Sequence, residues 1–239
     1  MKRLFLKAMV AGAVTILGSS AAVRGAVLYQ DNASASGQVM NVANNAQFGQ
    51  QIWLGTLVPE YLTNFSFEYY SPYTTYSGSV QMDVRLYENN GTAVNGYASP
   101  GTLFYDSGNF TLTDPWSVSG TNSATVVFQL SDLLSGNTVN LNPSFVLPTN
   151  FTFTVSVSGM QGADQVGLPI FGAPSVGANS ADYWYYVGGN WELLTNSTYS
   201  VSFGAQFLGT PTPEPSVICL GAMGAAALTI MVRRRQRRG

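Results

Sequence analysis

The sequence predicts an all-β protein, an antiparallel β-sandwich of jelly-roll type followed by one C-terminal transmembrane helix. Three observations predict it. Val80, Met82, Val84 and Leu86 alternate with Gln81, Asp83, Arg85 and Tyr87, and Phe151, Phe153, Val155 and Val157 alternate with Thr152, Thr154, Ser156 and Ser158; this is the period of a strand with one face buried. Clusters rich in Gly, Pro, Asn and Ser break the chain at short intervals, at Ser77-Gly78, Glu88–Gly91, Ser99-Pro100-Gly101, Ser107-Gly108 and Gly188-Gly189-Asn190, as turns require. Between residues 26 and 209 no long window carries the 3.6-residue period of an amphipathic helix.

Taken in order, the chain opens with Lys2, Arg3 and Lys7, then the apolar run Ala8–Leu17 and a group of small residues. That is the layout of a secretory signal peptide over residues 1–25. Cleavage after Ala22 and cleavage after Gly25 both satisfy the small-residue rule. Strands are expected at Ala26–Gln30, Gln47–Leu54, Leu62–Tyr70, Val80–Tyr87, Thr102–Asp106, Asn109–Thr113, Ala124–Leu130, Phe151–Ser158, Tyr183–Val187 and Tyr199–Leu208. The polar stretch Asn32–Asn45 reads as a long loop, and Ser131–Leu134 as a single helical turn capped by Ser131. Two packed sheets accommodate this many short strands. The absence of a fixed repeat argues against a propeller or β-helix.

Charge is unevenly placed. Residues 26–209 hold one basic residue, Arg85, against eleven carboxylates, a net charge of −10. Such a surface repels phosphate backbones, which excludes nucleic acid as a partner. The same span has no His, Cys or Lys, so imidazole- or thiol-dependent triads, lysine Schiff bases and imidazole metal sites are absent. A carboxylate pair for glycoside hydrolysis is the one catalytic arrangement the composition permits, and no pair stands out. No catalytic residue, metal ligand or cofactor is therefore assigned, and the expectation is a protein that is not an enzyme. Arg85, in mid-strand and facing away from Val84 and Leu86, is expected to form a cross-strand ion pair on the outer face.

Two further features bear on binding. The turns Asp31-Asn32 and Glu88-Asn89-Asn90 carry the oxygen ligands that Ca²⁺ favours, and serve equally well as plain Asx turns. Tyr183, Trp184 and Trp191, with Asp182 and Asn190 beside them, combine flat rings with polar groups, the combination that suits a carbohydrate. The same rings would also fill a sandwich core.

The last thirty residues, 210–239, fall into three parts. Pro211, Pro213 and Pro215 keep the backbone extended. Val217–Val232 is an uncharged run of sixteen residues, and Arg233, Arg234, Arg235, Arg237 and Arg238 close it. At 1.5 Å per residue the run spans roughly 24 Å, and snorkelling arginines extend its reach. Pro213-Glu214-Pro215, the apolar helix and the terminal arginines together resemble the PEP-CTERM sorting signal of exopolysaccharide-producing Gram-negative bacteria. Residues 26–209 look similar to the β-sandwich ectodomains of such proteins at Val84–Tyr87, Pro100–Gly108 and Ala181–Trp184. The resemblance implies an exported protein, held transiently in the inner membrane and processed by an exosortase-type membrane protease. It would then reach the cell surface or extracellular matrix, where polysaccharide is the expected partner.

Overall fold

The computed structural model describes residues 25–129, 146–196, 198 and 200–211. Among the described residues seventeen strands follow one another: β1 (Ala26–Asp31), β2 (Ala35–Asn41), β3 (Gln47–Trp53), β4 (Glu60–Tyr70), β5 (Gln81–Tyr87), β6 (Ala93–Val94), β7 (Tyr97–Ala98), β8 (Leu103–Asp106), β9 (Phe110–Thr111), β10 (Ser123–Gln129), β11 (Val146–Leu147), β12 (Asn150–Ser158), β13 (Gly167–Phe171), β14 (Ala178–Asn179), β15 (Tyr183–Val187), β16 (Asn190–Leu194) and β17 (Ala205–Pro211). One short helix, α1 (Pro115–Ser119), precedes β10. The first sheet runs β1-β17-β4-β13-β2, with β10 and β11 also on β4; the second runs β16-β15-β3-β12-β5-β8, with β14 on β3 and β9 on β5. Every pairing is antiparallel. The protein is all-β, with two sheets packed as in a β-sandwich.

Alternation decides which side chains fill the space between the sheets. Phe48, Ile52, Met82, Val84, Leu86, Phe151, Phe153, Val155 and Val157 come from the second sheet, and Phe65, Phe67 and Phe207 from the first; all are buried. Phe207 joins the two sets. Its ring lies 5.4 Å from Phe65 and 6.3 Å from Tyr29 in its own sheet, and 5.1 Å from Phe151 and 6.1 Å from Phe153 across the interior. Edge-to-face geometry dominates these contacts, and each such pair adds about 0.5–1.5 kcal/mol beyond the burial of its area.

Gln50 and Asp31 carry polar groups into this core, and both are held by partners. Gln50 donates to the carbonyls of Ser180 (3.0 Å) and Val201 (2.6 Å) and accepts from the Phe203 N–H (2.9 Å). Its amide thus binds the segments on either side of the β15–β16 hairpin to the second sheet, and satisfies the three groups it buries. Asp31, at the end of β1, accepts a hydrogen bond from the Ser202 hydroxyl. Burial pushes its carboxyl up to about 6, the Ser202 bond opposing.

Several sequence expectations are revised. Asn32–Asn45 is not one long loop: Ala35–Asn41 forms β2, pairing with β13 from Gly167↔Asn41 onward. Its side chains are mostly exposed, so edge pairing rather than burial makes it a strand, and periodicity carries little trace of that. The last strand begins at Ala205 rather than Tyr199 and runs to Pro211; Val201 and Phe203 are buried before it without regular pairing, apart from the single bridge Phe203↔Ile170. A short helix absent from the sequence expectations lies at Pro115–Ser119, where Asp114 accepts the Ser117 N–H at 2.8 Å and Pro115 opens the first turn. The turn expected at Ser131–Leu134, the signal peptide and the span Val217–Val232 lie outside the described residues. Among the described residues no helix is long and apolar enough to cross a membrane.

Asp31 makes stability depend on pH. Its folded pKa, about 6, exceeds the ordinary 3.8, so the folded protein keeps a proton that the unfolded chain has already lost. Its contribution is greatest below about pH 4 and declines as pH rises to 6, by roughly 2–3 kcal/mol. Urea unfolding of Asp31→Asn should show a flatter profile than the native chain between pH 4 and pH 6; parallel profiles would refute this origin.

Candidate functional site

The outer face of the second sheet departs furthest from a simple solvated surface. Residues directly opposite one another on neighbouring strands share a face, and the registers define three rows. Trp191, Tyr186, Gln47, Ser156 and Asp83 form the first; Leu193, Trp184, Gly49, Thr154, Arg85 and Asp106 the second; Gln51, Thr152 and Tyr87 the third. Thr152, Thr154, Gln47, Gln51 and Asp83 are buried, although they point away from the core. The reason is a roof. The Trp191 and Tyr87 rings meet edge to face at 5.5 Å, although their strands are four positions apart in the sheet. Neighbouring strands are spaced ~4.8 Å apart, so the contact requires a concave face and two long side chains reaching inward. Tyr186 lies 4.8 Å from Trp191 and extends the roof.

Beneath the roof the polar groups bind one another. Gln47 Nε2 donates to Thr154 Oγ1 at 2.5 Å and approaches the Tyr87 hydroxyl at 3.2 Å; Thr152 donates to Asn89 at 2.7 Å. Gly49 has to be glycine, because a Cβ there would stand 2.4 Å from Thr154 Cγ2 and 2.7 Å from the Phe153 carbonyl oxygen. Trp184 Nε1 and Gln51 Oε1 are buried without a partner among the described residues.

Beyond the roof, at the Ser156 end of β12, the face opens into a cavity of about 290 Å³ lined by Asn45, Gln47, Asp83, Arg85, Asn109, Ser156, Ser158 and Tyr186. This volume is close to the lower limit of small-molecule sites, ~300–1,000 Å³. Asn45 reaches it from a left-handed turn, φ 62°, a conformation Asn tolerates. Its backbone N–H is tied to the Val157 carbonyl at 2.7 Å.

The charge in the cavity is balanced internally. Arg85 contacts Asp83 at 2.7 Å along its own strand and Asp106 at 2.9 Å across to β8, so the expected cross-strand pair is present and a second carboxylate joins it. Burial pushes Asp83 up to about 6; Arg85 opposes that shift and Asp106 adds to it. Partial burial works against the Arg85 charge, but the two carboxylates outweigh it and hold the guanidinium above its ordinary range.

The five residues picked from sequence are divided by the structure. Trp184 has no exposed surface, so it cannot be a contact platform; its place over Gly49 in the middle of the sheet makes it filler for the outer face. Tyr183 turns to the opposite side, its ring 6.4 Å from both Phe48 and Phe203. Asp182 sits in the bend before β15, its carbonyl accepting from Ser180 Oγ at 2.6 Å. Asn190 closes the hairpin turn, where Gly188 (φ 60°) and Gly189 (φ 87°) supply the left-handed pair of a two-residue connection. Trp191 alone reaches the roof. Gln47, Asp83, Asn45, Asn109 and Ser158 were not singled out from sequence, since only cross-strand register brings them beside Tyr186.

The turns that could have held Ca²⁺ use their side chains internally. Asp31 is buried against Ser202, and Asn90 bonds to Glu88 Oε2 (2.7 Å), Thr102 Oγ1 (2.9 Å) and the Thr102 N–H (2.8 Å). Among the described residues no three His, Cys, Asp or Glu side chains are grouped to hold a metal ion. No protein family, curated protein or solved structure matches the chain.

Removing Arg85 leaves Asp83 and Asp106 facing each other. Arg85→Gln should destabilise the fold by about 1–3 kcal/mol, less than for a fully buried pair because Arg85 is half exposed. The loss should grow above pH 6, where Asp83 is ionised, and Asp83→Asn in the same chain should restore much of it. Urea unfolding at pH 5 and pH 8 measures both effects.

Proposed function

We propose that this chain is an exported, non-catalytic protein of the cell surface or exopolysaccharide matrix. Its jelly-roll-like ectodomain binds neutral polysaccharide through the cavity on the second sheet. The observation that carries the binding reading is the cavity's chemistry: Asn45, Gln47, Asn109, Ser156 and Ser158 offer uncharged donors and acceptors beside the exposed ring of Tyr186. Hydroxyl-rich rings need polar groups at their edges and a flat apolar surface beneath. An anionic polymer would meet a domain of net charge −10, which favours neutral chains. The non-catalytic reading draws support from Arg85, which holds both nearby carboxylates in ion pairs instead of leaving one free as an acid.

The delivery reading rests on the tail. Pro213-Glu214-Pro215, Val217–Val232 and the arginines Arg233, Arg234, Arg235, Arg237 and Arg238 form the PEP-CTERM pattern, which an exosortase-type protease would cut after transient anchoring. The position of the cavity agrees with such an anchor. Pro211 pairs with Glu60 at the end of the strands where β3 finishes, whereas the cavity lies at the end where β3 begins. A domain tethered through Pro211 would hold the cavity away from the membrane.

Two outcomes are expected. On a glycan array the full chain in detergent micelles should bind neutral polysaccharides, release no reducing sugar, and bind about tenfold more weakly as Tyr186→Ala, the loss of one aromatic contact of about 1.5 kcal/mol. Absence of neutral-glycan binding would leave the domain as a scaffold. In a host that has exosortase, the native chain should lose its tail, and a variant carrying Pro213→Ala and Pro215→Ala should keep it in the membrane fraction. Intact tails in both would make Val217–Val232 a permanent anchor.

A further inference from the structure

The end of the molecule from which Pro211 leads into the tail carries an apolar rim. Leu57 is 97% exposed and Val58 53% exposed, in the turn between β3 and β4. Thr56 Oγ1 accepts the Val58 N–H at 3.3 Å and lies 3.4 Å from Glu60 Oε1, which keeps the turn tight and Leu57 at its tip. Strand register places the rest of the rim. Glu60 stands opposite Pro211, Tyr61 opposite both Thr210 and Val146, and Val27 opposite Leu208. Val27 and Val146 are 38% and 39% exposed, so four apolar side chains surround the point of exit. Within residues 25–28, 54–63, 146–150 and 207–211 the one charged residue is Glu60, and it is buried; the nearest exposed carboxylate among the described residues of this end is Glu88, set apart on the second sheet just beyond β5, where Asn89 donates to Asn150 at 3.0 Å.

We infer that this rim is a lipid-contacting face. Leu57 and Val58 enter the interfacial layer of the bilayer that holds the tail, while Val27 and Val146 rest at its edge. The inference depends on reading Val217–Val232 as a membrane span, and chain length then fixes the distance. Only Thr212–Ser216 separate Pro211 from Val217. A fully extended backbone covers ~3.3–3.6 Å per residue, so the rim stays within roughly 20 Å of the start of the span. A domain with eleven carboxylates held that close to lipid headgroups is repelled from anionic ones unless it turns an uncharged side towards them. This rim is such a side, and exposed Leu and Val at an interface gain by leaving water.

The full chain in phosphatidylcholine vesicles tests this with a polarity-sensitive fluorophore at one cysteine at a time. Cys219, the single native cysteine, reports on the span; Leu57→Cys with Cys219→Ser reports on the rim; Val187→Cys with Cys219→Ser, on the β15–β16 hairpin at the other end, is the control. The position-57 label should shift to the blue and lose roughly half its emission to lipids carrying a nitroxide near the headgroup, since interfacial side chains sit ~5–10 Å into that boundary. The position-187 label should not change. A quenched Cys219 label with an unchanged position-57 label would overturn the inference and leave the anchor intact. An unquenched Cys219 label would remove the anchor and the inference with it. A position-57 shift that appears equally in lipid-free micelles and rises with protein concentration would assign the rim to a second copy of the chain, and so overturn the inference.

Discussion

Burial of β12 on both faces is the constraint on which the rest of the structure depends. Its odd-numbered side chains, Phe151 to Val157, enter the space between the sheets and meet Phe207 from β17. Its even-numbered threonines, Thr152 and Thr154, are as fully buried on the other side. A strand in that position needs two covers. The first sheet is one, and the Trp191–Tyr87 contact is the other. The second cover requires the sheet to curve, and the curvature creates the cavity beside it. Core and candidate site are therefore two consequences of one central strand.

Electrostatics follow the same geometry. With one arginine among eleven carboxylates, the domain can neutralise very few of its acids by pairing. It places Arg85 between the buried Asp83 and the partly exposed Asp106, and leaves Glu88, Asp114, Asp164 and Asp182 in turns and bends. Asp164 shows how a turn acid is used: desolvation pushes its carboxyl up, and the N–H groups of Ser77, Gln161 and Gly78 together outweigh that and hold it below the usual carboxylate range. It clasps two loops together, Ser77 at 2.6 Å and Gly78 at 2.8 Å on one side and Gln161 at 3.0 Å on the other. Charge is thus spent on connecting loops and steadying the outer face. The rim around Pro211 is left apolar, and the neutral polar groups of the cavity gather at the opposite end.

The sequence by itself determined the all-β class, most of the long strands, the inward residues of β5 and β12, and the ion-paired role of Arg85. Each follows from local rules: alternation assigns faces, and turn residues end strands. It also contained the tail pattern, whose parts are contiguous and need no fold to be read. Tertiary structure alone decided what the outward residues do. Thr152 and Thr154 look like a solvated stripe in the sequence, yet long-range contacts from Tyr87 and Trp191 enclose them. Trp184 and Trp191 are seven positions apart and look alike, but register sets one over Gly49 in mid-sheet and the other on the rim. β2 escaped notice because an exposed edge strand needs a partner's backbone, not an apolar stripe. The cavity residues come from β3, β5, β12, β15 and the turns beside them, and only the order in which those strands pair makes them neighbours.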